Sequence, residues 1–418
     1  MHARSLHSHW GALPRSPLAN ASVYAGAMLT LDCAMAFDAA CAGKFLDGLP
    51  PKPAVVLIEP RAELAGARPL LLRTADLRRR LRLLLGPREA DPAAARRVHL
   101  AAYAGCIRFR LTGSALEQSL VHYQNARALW PREYRKRMRL HSPALIKLTQ
   151  ASAYPRAYVT RRASSGGICL GPFASRRAAE MFLESFLDLF RLRRCQIRIL
   201  RDPSFPGCIY SEMKKCLAPC FAGCTDQEYA AESARAAAFL ATGGASALSS
   251  LEREREAASA NLEFERAALL HSDLEKVAAA RRNLPEIARA IQALNAVILQ
   301  CGAEDGTIAV FVVKAARIAD PFLLRFTELA SQPRSVEEIL RAALETPAEA
   351  IPQQTIPHGL SPQAELEDHL ALLARWFYSR PRQGEIFFSE AGPRGWPYRR
   401  MLRACSRLLQ PEAPAESH

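Results

Sequence analysis

Apolar residues early in the chain recur first at strand spacing and then at helix spacing. Runs of adjacent or alternating apolar residues predict three short strands, at 54–58, 69–72 and 107–111. Helical periodicity after the second and third runs predicts helices over 77–85 and 114–129. Asp76 stands where an N-terminal cap is expected, and Pro131 ends the second helix. This order of elements predicts a small α/β unit.

The middle of the chain passes from strands to long helices. Two strands and a helix are predicted at 144–149, 156–160 and 175–190. Apolar residues at helical spacing then predict an amphipathic helix pair over 249–282. Ser249 and Glu252 have the spacing of a capping box at the start of that pair.

Strand patterns return near the end of the chain. Three strands and a helix are predicted at 296–299, 308–313, 385–388 and 365–378. Glu304–Gly306 reads Glu-Asp-Gly, which is a hairpin signal, and we interpret Asp305 and Asp320 as turn residues rather than metal ligands. The whole pattern predicts an α+β multidomain protein.

The charge of the chain indicates what kinds of partner it binds. The 418 residues are 49% hydrophobic, enough for about two to four domains with cores of their own. A formal net charge of +15 indicates a polyanionic partner. Between 249 and 276 the charge is mixed, which favours a protein partner there. The candidate DNA contacts are Arg78, Arg79, Arg80, Arg82, Arg135, Lys136, Arg193, Arg194, Lys214 and Lys215.

Four of the eleven cysteines have the spacing C-x12-C-x7-C-x3-C. They are Cys195, Cys208, Cys216 and Cys220. Thiolates on turn-rich backbone suit zinc or an iron–sulfur cluster, and the residues alone favour zinc. Residues 201–219 show little apolar periodicity, so we expect no core there in which unliganded thiols would be buried. Cys224 is a spare that could join or replace a ligand.

No apolar run reaches the eighteen or so residues that a membrane span requires. The stretch 21–31 faintly resembles a secretory signal, but Asp32 and Asp38 follow it, and a thiol metal site belongs in a reducing compartment. We therefore predict a cytoplasmic protein with no membrane partner.

Several segments, taken in order, resemble the UvrC family, the incision subunit of bacterial nucleotide-excision repair. They are Phe45–Val56, Ser142–Thr149, Tyr154–Thr160, Leu170–Phe173, the cysteine segment and Ala257–Ala268. The last is similar to the UVR motif, a helical hairpin that docks on UvrB. The resemblance implies DNA and UvrB as partners, with Leu262, Phe264, Glu265, Ala267 and Leu274 at the UvrB contact. It also favours an iron–sulfur cluster, of the 4Fe–4S type, over zinc.

The family opens with a GIY-YIG nuclease domain, whose catalytic residues are not matched here. Val56 and Leu70 stand at the two tyrosine positions, and Leu72 at the motif's glycine. His122 stands at the metal-binding glutamate, and only the arginine is retained, as Arg80. Valine and leucine transfer no protons, and histidine is a poor ligand for Mg²⁺. The resemblance therefore implies a degenerate domain that would need Mg²⁺ only if it were still active.

Pattern and resemblance together predict five segments. They are an N-terminal arm (1–44), a degenerate GIY-YIG-like domain (45–140), a linking region with the four-cysteine cluster (141–230), a helical region with the UVR hairpin (231–290), and a shortened RNase H-like segment (291–418). The leading hypothesis is a DNA-binding, UvrB-interacting repair protein without GIY-YIG nuclease activity. The alternatives are an active excinuclease that cuts damaged DNA and an iron–sulfur redox sensor that binds DNA.

Overall fold

The computed structural model describes residues 29–64, 66–87, 99–326, 335–345, 361–389 and 395–410. Most of the predicted N-terminal arm and of the signal-like stretch lies outside these residues. The described part is a mixed α/β structure with three antiparallel sheets, which confirms the α+β class. None of the helices described here combines the length and apolar character that a membrane crossing requires.

The N-terminal unit is a four-stranded sheet in the order β1-β4-β2-β3, with helices on both faces. Its elements are β1 (Cys33–Ala36), α1 (Ala42–Asp47), β2 (Ala54–Pro60), β3 (Leu70–Thr74), α2 (Leu77–Leu85), β4 (Ala104–Leu111), α3 (Ala115–Leu129) and α4 (Tyr134–Arg137). The Asp76 side chain caps α2 by accepting from the Arg79 N–H at 2.8 Å, as predicted. Strand β1 precedes residue 45, so the folded unit begins earlier than the sequence indicates.

Strand β2 is buried on both faces, and its alternation sends neighbouring side chains to different cores. Ala54, Val56 and Ile58 pack with the helix α2 side of the sheet. Val55 and Leu57 pack on the opposite face, with α3. Because successive side chains on a strand point to opposite faces of the sheet, a site on one face cannot include the side chain of the next residue in the strand.

The middle unit is a sheet in the order β6-β5-β7-β8 covered by helices. Its elements are β5 (Ala144–Thr149), β6 (Ala157–Thr160), β7 (Gly167–Phe173), α5 (Arg176–Leu189), α6 (Ile209–Glu212), α7 (Asp226–Thr242), α8 (Ala245–Ala260), α9 (Phe264–Arg282) and β8 (Arg289–Ala290). Phe173, Phe182, Phe186, Phe190 and Phe239 form its aromatic core. Aromatic burial of this kind supplies much of the stability of a small domain.

The predicted helix pair is present, but its predicted start is wrong. Helix α8 begins at Ala245 after Gly243 and Gly244, which both have positive φ (58° and 85°). Ser249 lies inside the helix and caps nothing. Two glycines can adopt consecutive left-handed conformations without the strain that a Cβ would bring, so the turn between α7 and α8 can be tight. Ser249 and Glu252 have the residue types and spacing of a capping box, but they lie inside α8 rather than at its start.

The C-terminal unit is an antiparallel sheet in the order β11-β10-β9-β13, with β12 also paired to β10. Its elements are β9 (Ala296–Cys301), β10 (Thr307–Lys314), β11 (Arg317–Ile318), β12 (Phe322–Arg325), α10 (Val336–Glu345), α11 (Pro362–Phe377), β13 (Glu385–Phe388) and α12 (Tyr398–Leu409). Asp305 lies in an exposed turn and pairs with Lys52, and Asp320 accepts from Gln124, in keeping with turn positions. Helix α12 was not predicted.

A buried polar network joins the N-terminal unit to α11. The Asp368 carboxylate accepts hydrogen bonds from Tyr134 at 2.5 Å and Tyr123 at 3.2 Å, and pairs with Arg135 at 2.7 Å. Beside it, Arg127 and Glu365 pair at 2.7 Å. We call these six residues the junction network. It satisfies buried charges within the chain and holds α3, α4 and α11 together.

Candidate functional site

The four predicted metal ligands lie on a long irregular segment between α5 and α7, here called the cysteine loop (190–225). Backbone hydrogen bonds close this loop on itself: Asp202 donates to Cys220, Lys215 to Tyr210 and Leu217 to Arg191, at 2.9–3.0 Å. Left-handed residues such as Lys214 and Ala218, with φ of 55° and 56°, let the chain turn around the thiols. Apart from the short helix α6, the fold of the loop therefore rests on turns and hydrogen bonds rather than on long helices or a sheet.

The loop buries more of its thiols than the sequence indicates. Cys216, Cys220 and Cys224 are buried, and Cys195 and Cys208 are partly buried. The expectation that this segment has no core for thiols is therefore wrong. Cys224 packs against the aromatic core of the middle unit, so it is placed as a structural thiol.

The other four thiols affect one another electrostatically. The pKa of Cys216 is raised to about 11, first by burial and then by the neighbouring Cys195, Cys208 and Cys220, against a hydrogen bond from the Ala218 N–H at 3.3 Å. Among the described residues, no group of three or more His, Cys, Asp or Glu side chains is already gathered closely enough to hold a metal. The donor set nevertheless fits a soft cation in its chemistry, because four thiolates drawn together around a cation would no longer repel one another.

The cations around the thiols fall into two groups. Arg193 is buried and donates to the backbone carbonyls of Tyr154 and Ile197 at 2.9 and 2.8 Å, so it braces the loop. Arg194 and Lys215 both bind Asp188, at 2.7 and 3.0 Å. Lys214 and Arg198 are exposed, and neither makes an ion pair within the described part of the chain. These two have the most freedom to contact a polyanion.

The cysteine loop also exposes large apolar side chains that sequence reasoning missed. Leu200, Ile209 and Met213 are 73%, 62% and 55% exposed. Each of them stands within about five residues of Lys214 or Arg198 along the same loop. The sequence feature that could have predicted this exposure is the presence of apolar residues without helix or strand periodicity in a turn-rich segment. A surface that mixes cations with apolar side chains suits contact with nucleic acid that is partly unstacked.

The degenerate nuclease positions do not converge. Val56 is fully buried in the core on the α2 side, with Leu72 packed against that core and Leu70 39% exposed. Arg80 is exposed on α2. His122 lies on α3, at the opposite face of the sheet. Its pKa is lowered to about 4, first by burial and then by the charges of Arg73 and Arg375.

The remaining basic candidates are partly engaged in structure. Arg78 donates to the Leu49 carbonyl, Arg82 pairs with Asp47, and Arg135 belongs to the junction network. Arg79 and Lys136 are exposed. The first three side chains are therefore less available to a phosphate than the sequence indicates.

The tip of the α8–α9 hairpin presents apolar side chains to solvent. Leu262 and Phe264 are 71% and 68% exposed, as is Leu269 at 70%, which sequence reasoning missed. Glu265 is exposed and Ala267 partly so. Leu274 is buried, so it supports the hairpin from within. Exposed aromatic and aliphatic side chains on a helical hairpin are typical of a protein-binding surface.

Comparisons with known proteins agree with the resemblance. Residues 144–239 match the family model of the UvrC/Cho excinuclease middle domain. The chain is 28% identical over 258 residues to UvrABC system protein C of Carboxydothermus hydrogenoformans, which covers 58% of the chain and 40% of that protein. It is 31% identical over 180 residues to the Alcanivorax borkumensis protein (42% and 29%), and 29% over 245 residues to that of Desulforudis audaxviator (58% and 38%). No solved structure matches.

These matches confirm the resemblance to the UvrC family and centre it on the middle unit. The chain spans less than half the length of these curated relatives. The matched family domain includes the whole cysteine loop.

Proposed function

We propose that this chain, which carries the UvrC/Cho excinuclease middle domain, is a DNA-binding protein of cytoplasmic nucleotide-excision repair that docks on UvrB and does not cut through its N-terminal unit. The observation that carries the proposal is the surface of the cysteine loop, inside the matched domain. There Lys214 and Arg198 are exposed on the same loop as the exposed Leu200, Ile209 and Met213. Damaged duplex DNA offers both phosphates and unstacked bases to such a surface.

The absence of N-terminal cutting follows from the chemistry and placement of the degenerate positions. Val56 is a buried core residue, and His122 is on the other face of the sheet from Arg80. A GIY-YIG reaction needs a general base, a phosphate-binding arginine and a metal ligand around one phosphate. Restoring a single tyrosine would not bring these groups together.

The proposed UvrB contact is the hairpin tip. Leu262 and Phe264 are exposed at the turn between α8 and α9, and Leu269 is exposed further along the first turns of α9. Glu265 beside them supplies a charged rim. An interface with an apolar centre and a polar rim is the usual arrangement in protein complexes.

The proposed cofactor of the cysteine loop is a 4Fe–4S cluster, with zinc as the alternative. Cys195, Cys208, Cys216 and Cys220 would hold it as thiolates. When bound, the group would cross-link the loop through its four thiolate ligands. Its role would be to order the turns that carry Lys214 and Leu200.

The first experiment is an incision assay on damaged duplex loaded with UvrB, in Mg²⁺ or Mn²⁺, with binding measured on the same samples. We expect binding without strand cuts. Cutting that is abolished by Arg80→Ala would contradict the proposal and support the active excinuclease.

A second measurement tests the DNA surface itself. The double variant Arg198→Gln/Lys214→Gln should weaken duplex binding and lower the slope of log affinity against log salt by about 0.9 per lost phosphate contact. The matched control is Arg399→Gln/Arg403→Gln, which removes the same charge from exposed positions on α12. Equal losses in the two double variants would show that only net charge matters and would contradict the assigned surface.

A further inference from the structure

A cavity of about 730 Å³ lies at the seam between the middle and C-terminal units. Its walls are the last turn of α7, the segment after α9, strand β8 and residues that flank β9 and β13. This volume is within the range of about 300–1,000 Å³ that is usual for small-molecule sites. Its polar lining residues are Thr242, Arg281, Glu286, Arg289, Asn295 and Ser389. They lie outside the cysteine loop, the junction network and the hairpin tip.

Arg289 gives the cavity wall a cation that is already stacked on a ring. The side chain is half-buried, and its guanidinium carbon lies 3.6 Å from the centroid of the Phe388 ring. It also donates to the backbone carbonyl of Glu286. Phe388 does not itself line the cavity, so the ring backs the guanidinium. A guanidinium held over one ring can stack on a second planar group with its other face.

Arg281 lines the cavity and is exposed, which places it at the mouth. Its side chain crosses the turn between α7 and α8, where a Cβ on Gly244 would lie 2.9 Å from Arg281 Cγ and 3.0 Å from Cδ. Glycine therefore leaves the space that the arginine occupies. The charged lining residues are Arg281, Arg289 and Glu286, so one positive charge is in excess. Within the described part of the chain, none of the three makes an ion pair.

The uncharged polar groups of the cavity can both donate and accept. The side-chain oxygen of Asn295 accepts from the Ala315 N–H at 2.9 Å, which leaves the amide N–H groups as donors. The last carbonyls of α7, at Leu240 and Thr242, have no partner within the helix and can accept. Apolar walls with donors, acceptors and a stacking face suit a nucleobase better than a simple anion, which only accepts.

We propose that this cavity binds a single nucleotide. The base stacks on Arg289 between the apolar walls, and the phosphate stays at the mouth beside Arg281, where the positive charge is in excess. The nucleotide is either extruded from a damaged duplex, in which case the site rests on the proposed function, or free. The cysteine loop and the cavity lie at opposite ends of α7, whose 17 residues span roughly 25 Å. The extruded source therefore requires a duplex that runs along this helix.

The free source is tested by titration calorimetry of the unmodified chain with deoxyadenosine monophosphate. Deoxyribose 5-phosphate, which lacks the base, is the reference ligand. We expect the nucleotide to bind roughly tenfold more tightly, because only a base can stack on Arg289. Arg281→Gln should weaken nucleotide binding several-fold through the lost phosphate contact. Arg282→Gln is the matched control, since Arg282 is exposed in the same helical turn and does not line the cavity.

Ala241→Phe tests the cavity itself. Ala241 lines the cavity and is exposed, so a phenylalanine there fills the space without a change of charge. This variant should lose nucleotide binding, and thermal melting shows whether its fold is kept. If it does not fold, the exposed pair Arg281→Gln and Arg282→Gln carries the test. The extruded source is measured by the ratio of affinities for damaged and undamaged duplex, which Ala241→Phe should lower several-fold.

The outcomes separate this site from the proposed function. Base-dependent binding that is lost in Ala241→Phe, with an unchanged affinity ratio, assigns the cavity to free nucleotides, and a lowered ratio assigns it to extruded ones. If the unmodified chain binds no DNA but binds the nucleotide in this way, the proposed function fails and the nucleotide site stands. Nucleotide binding no tighter than that of deoxyribose 5-phosphate, or unaffected by the variants, together with an unchanged ratio, would overturn the site.

Discussion

The cysteine loop and the junction network both gather ionisable side chains inside the protein, but only the junction network balances them. In the junction, Asp368 and Glu365 each face an arginine at 2.7 Å. In the loop, burial and then the charges of the other cysteines disfavour the thiolate form of Cys216, so its thiol is neutral and has no counter-charge. The ion pairs of the junction are complete within the fold, whereas thiols gain a charged partner only when a cation from outside displaces their protons. The comparison therefore separates stabilising chemistry from binding chemistry.

The largest expected effect is in the loop. Cys216→Ser should abolish metal binding and disorder the loop, because a three-thiolate site no longer closes the coordination of a structural metal. Metal analysis and the visible absorption of an iron–sulfur cluster measure the first effect, and proteolysis within 190–225 the second. Cys41→Ser, at an exposed cysteine outside the loop, is the control. Unchanged metal content in Cys216→Ser would refute the ligand assignment.

In the junction network, Asp368→Asn should lower the free energy of unfolding by about 1–3 kcal/mol, because the buried carboxylate loses its pairing with Arg135 and part of its hydrogen bonding to Tyr123 and Tyr134. Urea unfolding measures the change. Asp305→Asn breaks the exposed pair with Lys52 and should change stability little. If the two variants behave alike, the junction is no more than a surface ion pair and the comparison fails.

His369, whose ring packs against Tyr123 of the junction network, predicts a pH dependence. The pKa of His369, which accepts from the Ile318 N–H at 3.0 Å, is lowered to about 4, chiefly by burial. Between its unfolded value near 6.5 and about pH 4, only the unfolded chain binds the proton, so stability falls as the pH falls through this window. The loss is on the order of 3 kcal/mol.

His369→Gln should flatten this part of the stability curve, as read from unfolding midpoints at pH 7.5, 5.5 and 4.5. His122 titrates in the same window, and His122→Gln should remove a separate share. A curve unchanged by His369→Gln would mean that the imidazole is not buried in its neutral form.

The smallest effect on stability is expected at the hairpin tip, where side chains are neither paired nor packed. Phe264→Ala should change the free energy of unfolding by less than about 0.5 kcal/mol, since the ring is 68% exposed. The same change should weaken UvrB binding at least tenfold, as expected for an aromatic anchor. Leu274→Ala should have the opposite pattern: it should mainly reduce stability and change UvrB binding little. Titration calorimetry and thermal melting of both variants distinguish the two roles.

Local chemistry let the sequence predict much of the fold. The helix starts at Asp76, Ser114 and Ser175 are confirmed because a cap depends on side chain and backbone within three residues. Strands 144–149 and 385–388 agree with the structure to the residue. The start of α8 was missed because paired glycines, rather than a capping side chain, set it. Helix α12 was missed although its apolar face covers β9 and β10.

The sequence by itself determined the spacing of the four cysteines, the basic character of the chain and the apolar content of the hairpin tip. Only the tertiary structure decided that Arg193 is buried as a brace, that Val56 and His122 lie on opposite faces of one sheet, and that Cys216 and Cys220 are buried. The physical reason is the distance along the sequence between the residues that interact. Caps, strands and ligand spacing depend on neighbours along the chain, whereas burial and convergence depend on how helices and sheets distant in sequence pack together.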